Sequence, residues 1–154
     1  MSYRSGFECE VWFSAVAKSL RMVDSDQPTF TQIQDVLTRH LDIRVKRALK
    51  HMKDVEDPEE WLDLVLKIDV LLRLENMDGQ SIRIGVDVTA QREDADYKLS
   101  TISSKPFRLA RRELEIGKHW VILVKPKSLP SEAKFIDALY EQVDKSAECA
   151  IVFL

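Results

Sequence analysis

Two stretches of strict alternation surround the dipeptide Asp78-Gly79, and no other feature of this chain restricts its fold as much. Ile68, Val70, Leu72 and Leu74 alternate with Lys67, Asp69, Leu71 and Arg73. After the turn, Ile82, Ile84, Val86 and Val88 alternate with Arg83, Gly85, Asp87 and Thr89. A period of two marks a strand, and two strands joined through Asp-Gly make an antiparallel hairpin. Both apolar rows fall on even-numbered positions, so a shared apolar face requires partners whose numbers sum to an even value. A three-residue loop of Met77, Asp78 and Gly79, with the glycine left-handed, meets that condition. It pairs Leu74 with Ile82, Leu72 with Ile84, Val70 with Val86 and Ile68 with Val88, and it sets Asp69 opposite Asp87.

Directly opposed residues have Cβ atoms roughly 4.5–5.5 Å apart, and like charges at that distance destabilise the pair. Two resolutions are open. The odd-numbered face can be wet, each aspartate being solvated or paired to Lys67, Arg73 or Arg83. Alternatively the two carboxylates form a cradle for Mg²⁺, which takes one or two carboxylates and keeps waters for substrate phosphates. The strand from Ile84 to Thr89 is apolar enough to be central in a sheet, and a carboxylate in its middle favours the cradle.

Around the hairpin the pattern is mainly helical. Phe7, Val11, Phe13, Val16, Ala17 and Leu20 predict a first helix over about 7–20. Thr29 and Gln32 have the spacing of a capping box, which predicts one long helix from about Phe30 to Met52. Asp57 before Pro58 starts a short helix. Past the hairpin, helices are expected over about Ala95 to Ser103 and from Ser104 to Ile116, the latter closed by Gly117. Trp120 to Val124 reads as a buried strand, Ser131 to Asp144 as an amphipathic helix and Ala150 to Leu154 as a last strand. With 154 residues, no repeat and no linker, the chain reads as a single domain, 1–154, carrying a helical insertion at 28–56.

The longest apolar runs fall far short of the roughly 18 residues of a membrane span. Glu8 and Glu10 interrupt the N-terminal apolar residues, and Cys9 and Cys149 lie far apart without metal-ligand spacing. The expectation is therefore a cytoplasmic protein with no membrane partner. The scattered His40, His51 and His119 lack metal-ligand spacing and read as surface or structural residues rather than zinc ligands, and no glycine-rich phosphate loop occurs. A net charge of −3 argues against a general nucleic-acid coat. The charge is nevertheless segregated. Residues 39–53 hold six basic side chains against one acid, and residues 54–69 hold seven acids against one lysine. Arg44, Lys46, Arg47 and Lys50 are the candidates for phosphate contact, with a solvated helix face as the alternative. Arg108, Arg111 and Arg112 form a second basic group with the same two readings.

A helix carrying glutamate, a hairpin with an aspartate on its first strand and an acid on its second, then a helix and a further strand resemble the PD-(D/E)XK, or restriction-endonuclease-like, nuclease superfamily. The resemblance runs from Phe7 to Val124. It implies an α/β fold in which a mixed sheet with a central antiparallel hairpin is flanked by helices. It also implies cleavage of phosphodiester bonds in DNA or RNA with Mg²⁺ or Mn²⁺. By this resemblance Asp69 is the first acid and Asp87 the second, both as metal ligands, and Glu10 or Glu8 is the helix acid. The family's lysine belongs two residues after the second acid, where this chain has Thr89. Some members supply it from the following helix, which makes Lys98 the counterpart; Gln91, on the strand face of Asp87, is the alternative and would position water. Three functions follow: a magnesium-dependent nuclease, a nucleic-acid-binding or regulatory module without catalysis on the same fold, and an interaction protein using the acidic segment Asp54 to Glu60.

Overall fold

The computed structural model describes residues 2–154, with side chains from Gly6 onward. Helix α1 (Ser2–Ser19) turns Cys9, Phe13 and Ala17 inward, which is the i, i+4 spacing of one helix face. Thr29 then starts α2 (Phe30–His40): its hydroxyl accepts from Gln32 N while the Gln32 side chain accepts from Thr29 N. The long helix expected from Phe30 to Met52 is two helices. Leu41 leaves helical geometry at φ −132° and ψ 39°, and α3 (Asp42–Leu49) restarts beyond it. Ile33, Val36, Leu37, Leu41 and Val45 stay buried through the bend, so the apolar period continues across a break that no glycine or proline announces. Asp57 accepts from Glu59 N and, with Pro58 at the first helical position, starts α4 (Pro58–Leu66). This helix ends at Lys67, which is left-handed at φ 58° without being glycine.

The hairpin of β1 (Val70–Glu75) and β2 (Ser81–Thr89) has the expected register, with Leu74 opposite Ile82, Leu72 opposite Ile84 and Val70 opposite Val86. Gly79 closes the turn at φ 79°, its N–H donating to Asn76 O at 3.0 Å. Two helices follow, α5 (Arg92–Ile102) and α6 (Lys105–Glu113), then β3 (Lys118–Leu123), α7 (Glu132–Lys145) and β4 (Cys149–Phe153). The sheet order is β1-β2-β3-β4, antiparallel in the first pair and parallel in the other two. An isolated antiparallel bridge from Val23 to Leu72 lies against the outer edge of β1. The fold is therefore α/β with a mixed sheet. Among the described residues no helix is long and apolar enough to cross a membrane.

Helices cover both faces. Leu72, Ile84, Val86, Trp120 and Ile122 pack with α1 and α7, whereas Leu71 and Val121 pack with α2, α4, α5 and α6. Two expectations are corrected here. Gly117 does not close α6; Glu115 takes the left-handed position at φ 58°, with Ile116 N donating to Arg111 O at 2.8 Å. Gly117 instead allows close approach, since a Cβ there would lie 3.1 Å from Ile82 Cγ2. Ile68 does not share the apolar face of Val70 and Leu72 but joins the opposite core, because the left-handed turn at Lys67 delays the strand until Val70. There it fills the space over Gly85, where a Cβ would sit 2.6 Å from Ile68 Cδ1 and 2.8 Å from Cγ1. Gly85→Ala is expected to lower the unfolding free energy in denaturant titration by about 1–3 kcal/mol. Adding Ile68→Val should return part of that loss; equal losses in the single and double variants would show that the clash is not its cause.

Candidate functional site

The hairpin opposes like charges at one rung, Arg73 and Arg83, and a second like-charged pair, Asp69 and Asp87, meets just beyond the ladder's end. Arg73 stands directly across from Arg83. Asp24, only 2% exposed, lies between them, 3.0 Å from Arg73 Nε and 2.6 Å from Arg83 Nε. Arg83 also donates to Leu114 O at 2.7 Å and Asp26 O at 2.5 Å. Burial works against the charge on Asp24, but hydrogen bonds from Arg73 and Arg83 outweigh it and hold the carboxyl below its usual range. Both arginines are committed to Asp24, and the wet-face alternative loses two of its three partners.

At the other end of the hairpin the ladder stops at Val70 and Val86, and Asp69 N also donates to Val86 O at 2.7 Å, so two residues of the first strand face one of the second and the strict register ends there. Asp69 Oδ2 accepts from Val88 N at 2.8 Å. Lys98 reaches from α5 to place Nζ 2.7 Å from Asp87 Oδ1. The second oxygen, Asp87 Oδ2, is buried and has no hydrogen-bond partner among the described residues. Glu10 from α1 and Asp63 from α4 complete the cluster: one carboxylate oxygen from each of Glu10, Asp63 and Asp69 lies within 4.8 Å of the other two.

The electrostatics follow from this crowding. Burial, then the charges of Asp87 and Glu10, push the Asp69 carboxyl well above its ordinary range. Burial raises Asp87 as well, although Lys98 pulls against it. Glu10 is raised by burial and by Asp63 and Asp87. For Lys98, burial is outweighed by Asp87, and the ammonium is held above its usual value. Lys67 is lowered by burial and by its neighbour Lys98. Four carboxylates thus crowd around one paired ammonium group, Lys98, and one buried oxygen has no donor. Hard oxygen donors so arranged suit a divalent cation, and Glu10, Asp63 and Asp69 are close enough to hold one together.

Beneath the cluster lies a buried polar chain. His119 is fully buried, with Nε2 3.0 Å from Lys67 O and Nδ1 3.1 Å from Arg111 Nη1. A carbonyl only accepts and a guanidinium only donates, so Nε2 carries the proton. Burial and then Arg111 push the His119 pKa down to about 3, and the ring is neutral. Arg111 also donates to Ile102 O at 2.7 Å and Glu148 Oε2 at 2.6 Å. The left-handed turn that delivers Lys67 and Asp69 to the site is thereby tied to α6 and to the residue before β4.

The remaining sequence candidates separate. Of the two α1 acids it is Glu10 that enters the cluster, while Glu8 is exposed. Gln91 lines an open cleft of about 360 Å³ together with Glu10 and Lys98. Thr89 is buried and donates to Asp94 Oδ2 at 2.8 Å. Lys46 and Arg47 are exposed on α3 and Lys50 just past its end, Lys46 pairing with Asp42 at 3.1 Å. Arg44 is spent internally: its Nε donates to Val65 O at 2.9 Å, and its guanidinium lies 5.1 Å from the centre of the Phe107 ring. Arg111 is buried rather than part of a surface cluster. In the acidic segment, Asp54, Asp57 and Glu60 accept backbone N–H groups of Glu56, Glu59 and Lys53. Asp63 and Lys67 are site residues that sequence reasoning missed. Their only signal is position, in the last turns of the Pro58 helix immediately before the strand of Asp69. No family model matches the chain, and neither a curated protein nor a solved structure matches it.

Proposed function

We propose that the protein is a metal-dependent nuclease of restriction-endonuclease-like design, cleaving phosphodiester bonds of DNA or RNA with Mg²⁺ or Mn²⁺. The carrying observation is the Asp87 carboxylate. One oxygen meets Lys98 Nζ at 2.7 Å, and the other is buried beside Asp69 without a donor. A purely structural ion pair satisfies both oxygens, as the two arginines do for Asp24. Asp69 and Asp87, with Glu10 and Asp63, would hold a divalent cation, which would supply phosphate polarisation and an activated water. Lys98, kept charged by Asp87, is placed to donate to a phosphate oxygen as negative charge develops there. It takes the role that Thr89 lacks. Gln91 presents its amide to the same cleft, where it can orient water or a sugar hydroxyl. The mixed sheet with its antiparallel pair and helices on both faces is compatible with this reading.

The test is cleavage of labelled single- and double-stranded DNA and RNA in Mg²⁺ and Mn²⁺, beside Mn²⁺ binding followed by electron paramagnetic resonance. Asp87→Asn removes charge with little change of shape, and both cleavage and tight Mn²⁺ binding are expected to disappear. A wild-type protein that neither binds Mn²⁺ nor cuts any of these substrates overturns the proposal. One that binds Mn²⁺ and nucleic acid without cutting gives the site to a binding module, with Thr89 in the lysine position as the physical reason.

A further inference from the structure

A second cavity lies around the corner from the carboxylates. Where β2 gives way to α5, Thr89 and Gln91 line the cleft beside Glu10, whereas Ala90 and Arg92 line a larger hollow of about 770 Å³. The hollow sits at the carboxyl ends of the parallel strands β3 and β4, where open α/β sheets take ligands. Its cations are Arg92, Lys125 and Lys134, and no carboxylate side chain lines it. Arg92 pairs with Asp96 at 3.4 Å. Among the described residues Lys125 and Lys134 have no carboxylate partner, in a protein whose net charge is −3. The apolar wall is exposed: Phe153 is 59% accessible, and Arg92 lies 5.2 Å from the centre of its ring.

Each part narrows the ligand. Unpaired lysines select an anion. An exposed aromatic ring with a guanidinium stacked on it is a platform for a flat ring, and base stacking on such platforms tolerates any sequence. A duplex keeps its bases inside its own stack and has none to offer. We infer that this hollow binds an unpaired nucleotide of a DNA or RNA strand, its base against Phe153 and its phosphates against Lys125 and Lys134. The strand then continues over Ala90 toward Asp87. Arg92 is five residues from Asp87, at most roughly 18 Å of extended chain, so a few nucleotides join the two places. The continuation rests on the nuclease reading, whereas binding in the hollow does not.

Fluorescence anisotropy of a labelled short oligothymidylate, in EDTA so that no metal or cleavage takes part, isolates the hollow. Phe153→Ala, and Phe153→Leu as a variant that keeps the apolar bulk, are expected to weaken binding about tenfold. Lys125→Glu and Lys134→Glu should each weaken binding and reduce the salt slope by about 0.7. A blunt duplex of the same length should bind more weakly and ignore Phe153→Ala. Unchanged oligothymidylate affinity in the Phe153 and lysine variants, or a duplex preference with the same sensitivities, overturns the inference. Binding with the expected sensitivities but no cleavage in Mg²⁺ would sink the nuclease reading alone; cleavage with indifferent variants would sink the hollow alone.

Discussion

Replacing Asp69 by asparagine is expected to make the metal-free protein more stable while removing Mg²⁺-dependent cleavage. Asp69 is held by burial and by Asp87 and Glu10 well above its ordinary pKa. The folded state therefore resists its ionisation more than the unfolded chain does. At neutral pH that resistance costs stability. As pH falls toward the ordinary aspartate range the folded protein takes up its proton first, and the wild type gains stability there relative to the variant. Asparagine keeps an oxygen for Val88 N, which Asp69 Oδ2 meets at 2.8 Å, and removes the charge that Glu10, Asp63 and Asp87 oppose. The same charge is what a cation needs. Cleavage should fall by roughly a thousandfold or more, several kcal/mol of transition-state stabilisation. Thermal melts in EDTA and in Mg²⁺ read both halves: Mg²⁺ should stabilise only the wild type. A variant less stable than wild type in EDTA, or one that still cuts, would remove the basis of the site.

His119 predicts a slope of the opposite sign. Its pKa is pushed down to about 3 in the folded state, against about 6.5 in an unfolded chain. Above the unfolded value the neutral ring contributes fully. As pH falls below about 6.5 the unfolded chain binds a proton that the folded ring refuses, and stability is lost until the folded pKa is reached. Between about pH 7 and about pH 4 the loss attributable to this ring is about 3 kcal/mol. His119→Gln removes the titration, so urea titrations of variant and wild type should converge as the solution is acidified. The carboxylate cluster titrates in both proteins and cancels from the difference. Parallel curves would show that the ring is not a buried neutral base.

The hairpin was legible because two independent signals agree on it: period two sets the parity of the pairing, and Asp-Gly sets the loop. That agreement brings Asp69 and Asp87 to the same end of the hairpin, although the observed ladder stops at Val70 and Val86, one residue short of the expected pairing. Lys98 was legible only through the family resemblance, since nothing local ties a helix lysine to a strand aspartate eleven positions away. Asp63 and Lys67 were hidden because their place depends on the angle at which α4 meets β1. A left-handed lysine sets that angle, and no composition rule predicts one. Glu115 displaced Gly117 for the same reason. The bend at Leu41 escaped because burial on both sides of it maintains the helical period. Arg44 shows the limit of charge counting: a basic residue in a basic run caps carbonyls of α4 instead of facing a phosphate.

The two like-charged pairs also hold the hairpin by different means. Near the turn, Asp24 clamps Arg73 and Arg83, and Arg83 extends the clamp to the carbonyls of Asp26 and Leu114. At the far end, the Val88 amide is held by the Asp69 side chain rather than by a partner strand. Local opening starts where burial is least, and in β2 that is the turn end, where Ser81 is exposed while Val86 to Thr89 are all buried, so the clamp on Asp24 restrains the end that would otherwise open first. The turn end is thus fastened by an ion pair and the far end by burial, so the two aspartates are held together from both directions.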